Sequence, residues 1–224
     1  DSTADGNAAG SRNDPFTDFG AALRFVRDND RRALFVAHER VSMRPDDLAA
    51  LPPGITIVAG LDGSDWSPSG ERTVLEFVEN TGDRLQIRKP VTIRGFQIIG
   101  PISVALASAG DVAVFDNLAI APDANGDAGT AGVHVTRGEL QVTGSTVTGD
   151  LRVTGSHATV AVENSHLERS TVEQSARASY RSATVGSVHL TGATVDIERS
   201  IIGPSSDSAP LVVTGGELRD RKST

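Results

Sequence analysis

The sequence predicts an all-β fold: a right-handed parallel β-helix, a solenoid of short strands with a short N-terminal capping helix. Three observations carry this. Segments with apolar residues two apart recur about every twenty residues through the C-terminal half. Short polar residues follow several of these segments at one offset. The composition is low in aromatic residues (4%) and contains 23 Gly, which suits a narrow interior of Val, Ile, Leu and Ala broken by frequent turns.

The first set of segments comprises Val91–Gly95, Val112–Asp116, Leu140–Gly144, Val160–Asn164 and Val195–Arg199. Asn117, Ser145, Ser165 and Ser200 follow four of them, so short polar side chains are expected to stack in a hydrogen-bonded ladder at one corner. The second set is Val133–Thr136, Leu151–Thr154, Val188–Thr191 and Leu211–Thr214, each reading apolar, variable, apolar, Thr. Gly138, Gly155, Gly192 and Gly215 follow them. The interval from Leu151 to Val188 is about double the others, which leaves room for a degenerate coil through Ser170-Thr171-Val172 and Ala178-Ser179-Tyr180. No ten-residue helix fits after Leu85, so an alternating α/β arrangement is excluded.

Residues 1–14 read as a flexible leader and residues 15–224 as a single domain, with a cap and first strand to residue 54 and coils from residue 55. The polar opening Asp1–Asn7 has the character of a mature or trimmed product. It is either a loose terminus or a tether after a processed export signal or lipid anchor. Thr17 or Asp18 caps a helix over Phe19–Asp28, with Phe19, Leu23 and Val26 in one apolar stripe and Phe25 beside it. A short buried strand at Ala33–Ala37 follows, and the pair would cover an open solenoid end. Asp46–Leu51 forms one helical turn stopped by Pro52-Pro53-Gly54. Ile55–Gly60 is a strand, Leu61–Gly70 a polar excursion, and Thr73–Phe77 the next strand.

The order helix, short strand, "ITIVAG", "LDGSDW", "ERTVLEF" resembles the N-terminal coils of secreted pectin-lyase-like β-helix proteins of myxobacteria and related environmental bacteria. Ala59-Gly60-Leu61 stands where that group typically has two Gly and an aromatic residue. The resemblance implies a secreted β-helix, and it implies that Trp66 covers a coil corner.

Net charge is −8, which argues against nucleic acid or an anionic membrane as the main partner. There is no Cys, hence no disulfide framework or thiolate metal site, and no apolar run has the length of a membrane span. Pro122–Gly132 and Gly203–Pro210 lengthen single coils and are placed as recognition loops. The charged run Arg219–Lys222 either blunts the last edge or interrupts a longer solenoid.

Candidate chemistry falls in four places. Asp123, Asn125 and Asp127 have the spacing of the first three ligands of a Ca²⁺ loop, but Ala128 stands at its Gly position and His134 at its Glu position. Ca²⁺ is therefore the one cofactor considered, with a flexible loop as the other reading. His134, Arg152 and His189 fall on one outward column, suited to an acidic sugar or another anion, or else simply solvated. Asp62, Asp65 and Trp66 form the only Trp-bearing loop, able to stack on a sugar ring or to cover a corner. Glu163, Asp196 and Glu198 lie on related strands and either converge or face solvent. The paired-Asp and Gly-His-Gly signatures of polygalacturonase-like hydrolases are absent, as is a pectate-lyase-like Asp cluster with a matching Arg.

The function expected is a non-catalytic extracellular or cell-envelope β-helix acting in adhesion, glycan contact or surface architecture. Its partner would be a glycan or a cell-surface protein. A polysaccharide lyase or glycoside hydrolase of the same fold is the alternative, and a spacer within a larger exported protein is the third.

Overall fold

The two-residue alternation of apolar side chains commits this chain to strands. A computed structural model describes residues 15–44, 47–77, 85–121, 131–203 and 210–221. Its N-terminal strands are β1 (Ala33–Phe35), β2 (Arg40–Met43), β3 (Ile55–Val58), β4 (Thr73–Phe77), β5 (Leu85–Ile87) and β6 (Val91–Arg94). The middle strands are β7 (Phe96–Ile99), β8 (Ile102–Ala105), β9 (Val112–Asp116), β10 (Ala119–Ala121), β11 (Ala131–Thr143) and β12 (Thr146–Thr154). The last are β13 (Ala158–Glu163), β14 (His166–Glu173), β15 (Arg177–Arg181), β16 (Thr184–Glu198), β17 (Ile201–Ile202) and β18 (Leu211–Arg221).

All pairings between these strands are parallel, and they fall into three ladders. The first joins β1, β3, β6, β9, the end of β11, β13, β15 and the ends of β16 and β18. The second joins β2, β4, β7, β10, the starts of β12, β14 and β16, and β17. The third joins β5, β8, the start of β11, the ends of β12 and β14, the middle of β16 and the start of β18.

Each ladder stacks inward apolar side chains on their equivalents. One column runs Ile57, Ile93, Phe115, Val142, Val162, Tyr180, Ile197. Another runs Ile98, Ile120, Val147, Leu167, Val185, and a third Ile87, Val104, Val135, Val153, Val172, Leu190. Together they form one buried core. The chain is thus all-β, with 60% strand and 8% helix. Its sheet closure is that of a six-stranded parallel barrel, whereas the repeats predict a solenoid. Both forms wrap parallel strands around one apolar interior.

Two corner columns connect the first ladder to the second. Gly95, Asn117, Gly144, Asn164, Ser182 and Arg199 all have positive φ, between 49° and 76°. At Gly95 an added Cβ would run into the Ala59 carbonyl, so the turn there accepts only glycine. Their amides bond onward to the next strand, as in Asn117 N–H to Thr143 O at 2.9 Å and Asn164 N–H to Arg181 O at 3.1 Å. One residue later comes the serine ladder. Ser145 Oγ accepts from Leu118 N–H at 3.0 Å, Ser165 Oγ from Ser145 N–H at 3.1 Å, and Ser200 Oγ from Ala183 N–H at 3.1 Å. Each of these hydroxyls donates to the carbonyl two residues back, at 2.7–2.9 Å. Ser145 and Ser165 therefore stack as the spacing predicts, Ala183 takes the next row and Ser200 the one after it, and Asn117 does not join them. The reason is a one-residue offset in β9, where Ala113 and Phe115 face the core and align with Val91 and Ile93, leaving Val112 and Val114 half-buried.

Helix α1 (Phe19–Asp28) begins at Asp18, whose carboxylate accepts from Ala21 N–H. It buries Ala22, Leu23 and Val26, with Phe19 packed beside the core. Phe25 sits off this stripe against Phe16, with ring centroids 5.2 Å apart. A 3₁₀ turn at Asp47–Ala50 buries Leu48 and leads into Leu51. The strand expected to be buried at Ala33–Ala37 is shorter, Ala33–Phe35, and only its inward side is covered: Leu34 packs on the core and Val36 just after it is buried, while Ala33 and Phe35 are exposed. Phe35 is 56% accessible because it points outward between the inward residues Leu34 and Val36.

Candidate functional site

The expected histidine column forms on the outer face of the third ladder. His134 pairs with Arg152, Arg152 with Thr171, and Thr171 with His189, so the four occupy consecutive rows about 4.8 Å apart. Flanking residues explain the orientation. Val133 and Val135, Leu151 and Val153, Val172, and Val188 and Leu190 are all buried, which turns the intervening side chains outward. Ser170-Thr171-Val172 supplies the row expected between Leu151 and Val188.

The polar chemistry of this face is already engaged. His134 Nε2 lies 3.0 Å from Thr154 Oγ1. Arg152 donates twice to Glu173 Oε2, at 3.2 and 2.8 Å. Asp150 Oδ1 accepts from the Thr171 hydroxyl at 3.0 Å. Burial raises the Asp150 carboxyl above the ordinary range, opposed by the Thr171 hydrogen bond and by the charges of Arg169, Arg152 and His189. His189 Nε2 is buried without a hydrogen-bond partner.

Asp150, Thr171 and Glu173 did not stand out in the sequence. Asp150 pairs with Arg169, and Arg169 with Ser187, across a register shift between Val147 and Asp150. The extra residue in β12 breaks the spacing that would have flagged Asp150. Beneath this face the interior turns polar. Tyr180 is fully buried, its hydroxyl 2.6 Å from Ser170 Oγ, and burial pushes it well above the usual phenol value. Ser170 donates on to Leu151 O at 3.2 Å, and Ser187 Oγ is buried with no partner.

Asp62, Asp65 and Trp66 lie together in the β3–β4 loop, with both carboxylates used locally. Asp62 accepts from the Ser64 amide and hydroxyl, at 2.7 and 2.6 Å, which holds its carboxyl below the ordinary range. Asp65 accepts from Ser67 N–H at 2.8 Å. Trp66 is half-buried, at φ 62°.

The acids Glu163 and Glu198 do not converge, because Arg181 stands between them in the column Arg94, Asp116, Thr143, Glu163, Arg181, Glu198. Arg94–Asp116 at 2.9 Å and Arg181–Glu198 at 3.4 Å are ion pairs within it. Opposite charges face each other across strands, a stabilising arrangement for a solvated face. Asp196 stands in another column, opposite Ser179. Asp123, Asn125 and Asp127 lie outside the described residues. Among the described residues no group of three or more His, Asp or Glu could hold a metal ion, and no helix is long and apolar enough to cross a membrane. No known protein family, curated protein or solved structure matches the chain.

Proposed function

We propose that the three ladders are those of a right-handed parallel β-helix, and that the protein acts without catalysis at the cell surface or outside the cell, contacting a glycan through the third ladder. The fold reading is supported by ladders that advance along the chain in the repeating order first, second, third, with the serine ladder at a single corner. Right-handedness follows from the strong preference of parallel crossovers. Small-angle scattering compared with the two closures tests this reading: a profile matched only by strands stacked in rows about 4.8 Å apart supports it, and one matched only by a six-stranded ring indicates the closed barrel instead.

The glycan reading rests on one observation, the consecutive placement of His134, Arg152, Thr171 and His189 on one face. The Arg152 guanidinium is the half-exposed cation of this column, flanked about 4.8 Å away on either side by His134 and Thr171. That arrangement suits a carboxylate of an extended acidic polysaccharide, with its hydroxyls exchanging for the Thr154 and Asp150 contacts of those neighbours. Arg152 is tied to Glu173, so an acidic sugar would have to compete with that exposed pair, worth about 0–1 kcal/mol. A glycan array run beside reducing-end and unsaturated-product assays tests the proposal. Binding without turnover, lost in Arg152→Ala and His134→Ala, supports it. Turnover of an acidic polysaccharide would replace it with the lyase or hydrolase reading.

A further inference from the structure

We infer, resting on the glycan reading of the third ladder, that this face binds an acidic ligand more tightly in acid because Asp150 takes up a proton as the ligand arrives. The placement of Asp150 carries this. Asp150 and Arg152 flank the buried Leu151 on β12, so both side chains leave the same outer surface. The carboxylate therefore stands among the cations that an acidic ligand would use.

Every strand packed against it contributes to its surroundings. From β14, Arg169 stands opposite Asp150, and the Thr171 hydroxyl donates to Oδ1 at 3.0 Å. Arg169 is half-buried and, among the described residues, makes no side-chain hydrogen bond or ion pair, so its charge acts on Asp150 through space. The charge of His189 reaches the carboxyl from β16, where Nε2 of that ring is buried without a hydrogen-bond partner. On β11, Ala131 stands opposite Asp150 and His134 opposite Arg152. Two neighbouring acids are engaged elsewhere: Glu173 with Arg152 at 2.8 Å, and Glu168 with the Gly149 amide at 2.7 Å.

An acidic ligand brings a further negative charge to Arg152 and Arg169. Two carboxylates that share one set of cations repel each other, and protonating one of them relieves the repulsion. Asp150 is the group prepared for that step, because burial already raises its carboxyl, opposed by the Thr171 hydrogen bond and by Arg169, Arg152 and His189. A protonated Asp150 keeps an oxygen free to accept from Thr171, so the local network survives the change. The bound ligand raises the proton affinity of Asp150 further. Between the free and the bound values the complex holds more protons than the free chain, and affinity rises as pH falls through that interval.

Titration of the intact chain with mannuronate oligomers tests this, from about pH 7.5 down to about pH 4.5, where the sugar carboxylates are still ionised. Asp150→Asn is the neutral mimic, with circular dichroism as the control for folding. The variant should bind about tenfold more tightly than the parent near neutrality, the equivalent of one unit of displaced proton affinity, and the gap should close in acid. His134 and His189 are present in both chains, so any contribution from their protonation cancels in the comparison. Calorimetry of the parent alone, at about pH 5 in two buffers of different ionisation enthalpy, should show net proton uptake on binding. A variant that binds no tighter than the parent near neutrality overturns the inference and leaves the glycan reading in place. So does binding without proton uptake. A chain that binds no acidic glycan at any of these pH values overturns both.

Discussion

At the N-terminal end of the stack, α1 lays Ala22, Leu23 and Val26 over the first strands, and the residues beneath it, Val41, Met43, Leu48 and Leu51, are at most 8% accessible. At the other end of the described strands, Leu211 and Val213 stack on buried Val188 and Leu190 and are 38% and 45% accessible. The interiors differ as well. Beneath α1 the core is aliphatic, whereas the rows under β18 contain buried Tyr180, Ser170 and Ser187, the last with an unpartnered hydroxyl. A stack of parallel strands presents the same problem at both ends, an unpaired edge above an apolar interior. One end solves it with an amphipathic helix. The other carries Asp220 in the inward row, where a charge disfavours indiscriminate strand addition.

The comparison is broken most directly by the same type of truncation at each end. Leu23→Ala empties a site that is 4% accessible and should cost about 2–5 kcal/mol, read as a lower urea midpoint. Leu211→Ala removes a side chain already 38% accessible and should cost under about 1 kcal/mol. Equal losses would mean that α1 adds no cover. Between the ends, Ser145→Ala leaves the buried Leu118 amide without an acceptor, at a cost of about 1–3 kcal/mol. Asp18→Ala removes the α1 cap and should cost about 1 kcal/mol. Ser182→Asn should stabilise by up to about 1 kcal/mol, because Ser182 holds φ 51° in a column where Asn117 and Asn164 also stand.

How much of this was legible follows from how many inward residues each strand contributes. The third ladder offers two inward apolar positions per row followed by Thr and Gly, and its register over Val133, Leu151, Ser170, Val188 and Leu211 was readable, degenerate row included. The serine ladder was readable because its offset from the strand is constant. The second ladder was not, because rows such as Val147, Leu167 and Val185 contribute a single inward residue, and one residue shows no alternation. In β9 the half-buried residues Val112 and Val114 are as apolar as the inward ones, so hydrophobicity alone could not tell the faces apart. Of the candidate site, His134, Arg152 and His189 were found by strand equivalence. Asp150 was hidden by the bulge that brings it to Thr171.

Asp150 offers the finest probe of the polar end. Its carboxyl is raised from 3.8, chiefly by burial, so the folded chain binds this proton more tightly than the unfolded chain does. Stability contributed by the protonated form is fully present below 3.8 and is lost as pH rises through the elevated value. Asp150→Asn keeps an oxygen acceptor for the Thr171 hydroxyl and has no charge to bury. The variant should therefore match the parent in acid and gain on it as pH rises toward neutrality, a difference read from urea midpoints across that range. A gap that opens in the other direction would mean that Arg152, Arg169 and His189 outweigh burial, and that the third-ladder face is organised around an ionised carboxylate. The sign of this pH dependence thus distinguishes a face whose cations are occupied by Asp150 from one that leaves them available to an acidic ligand.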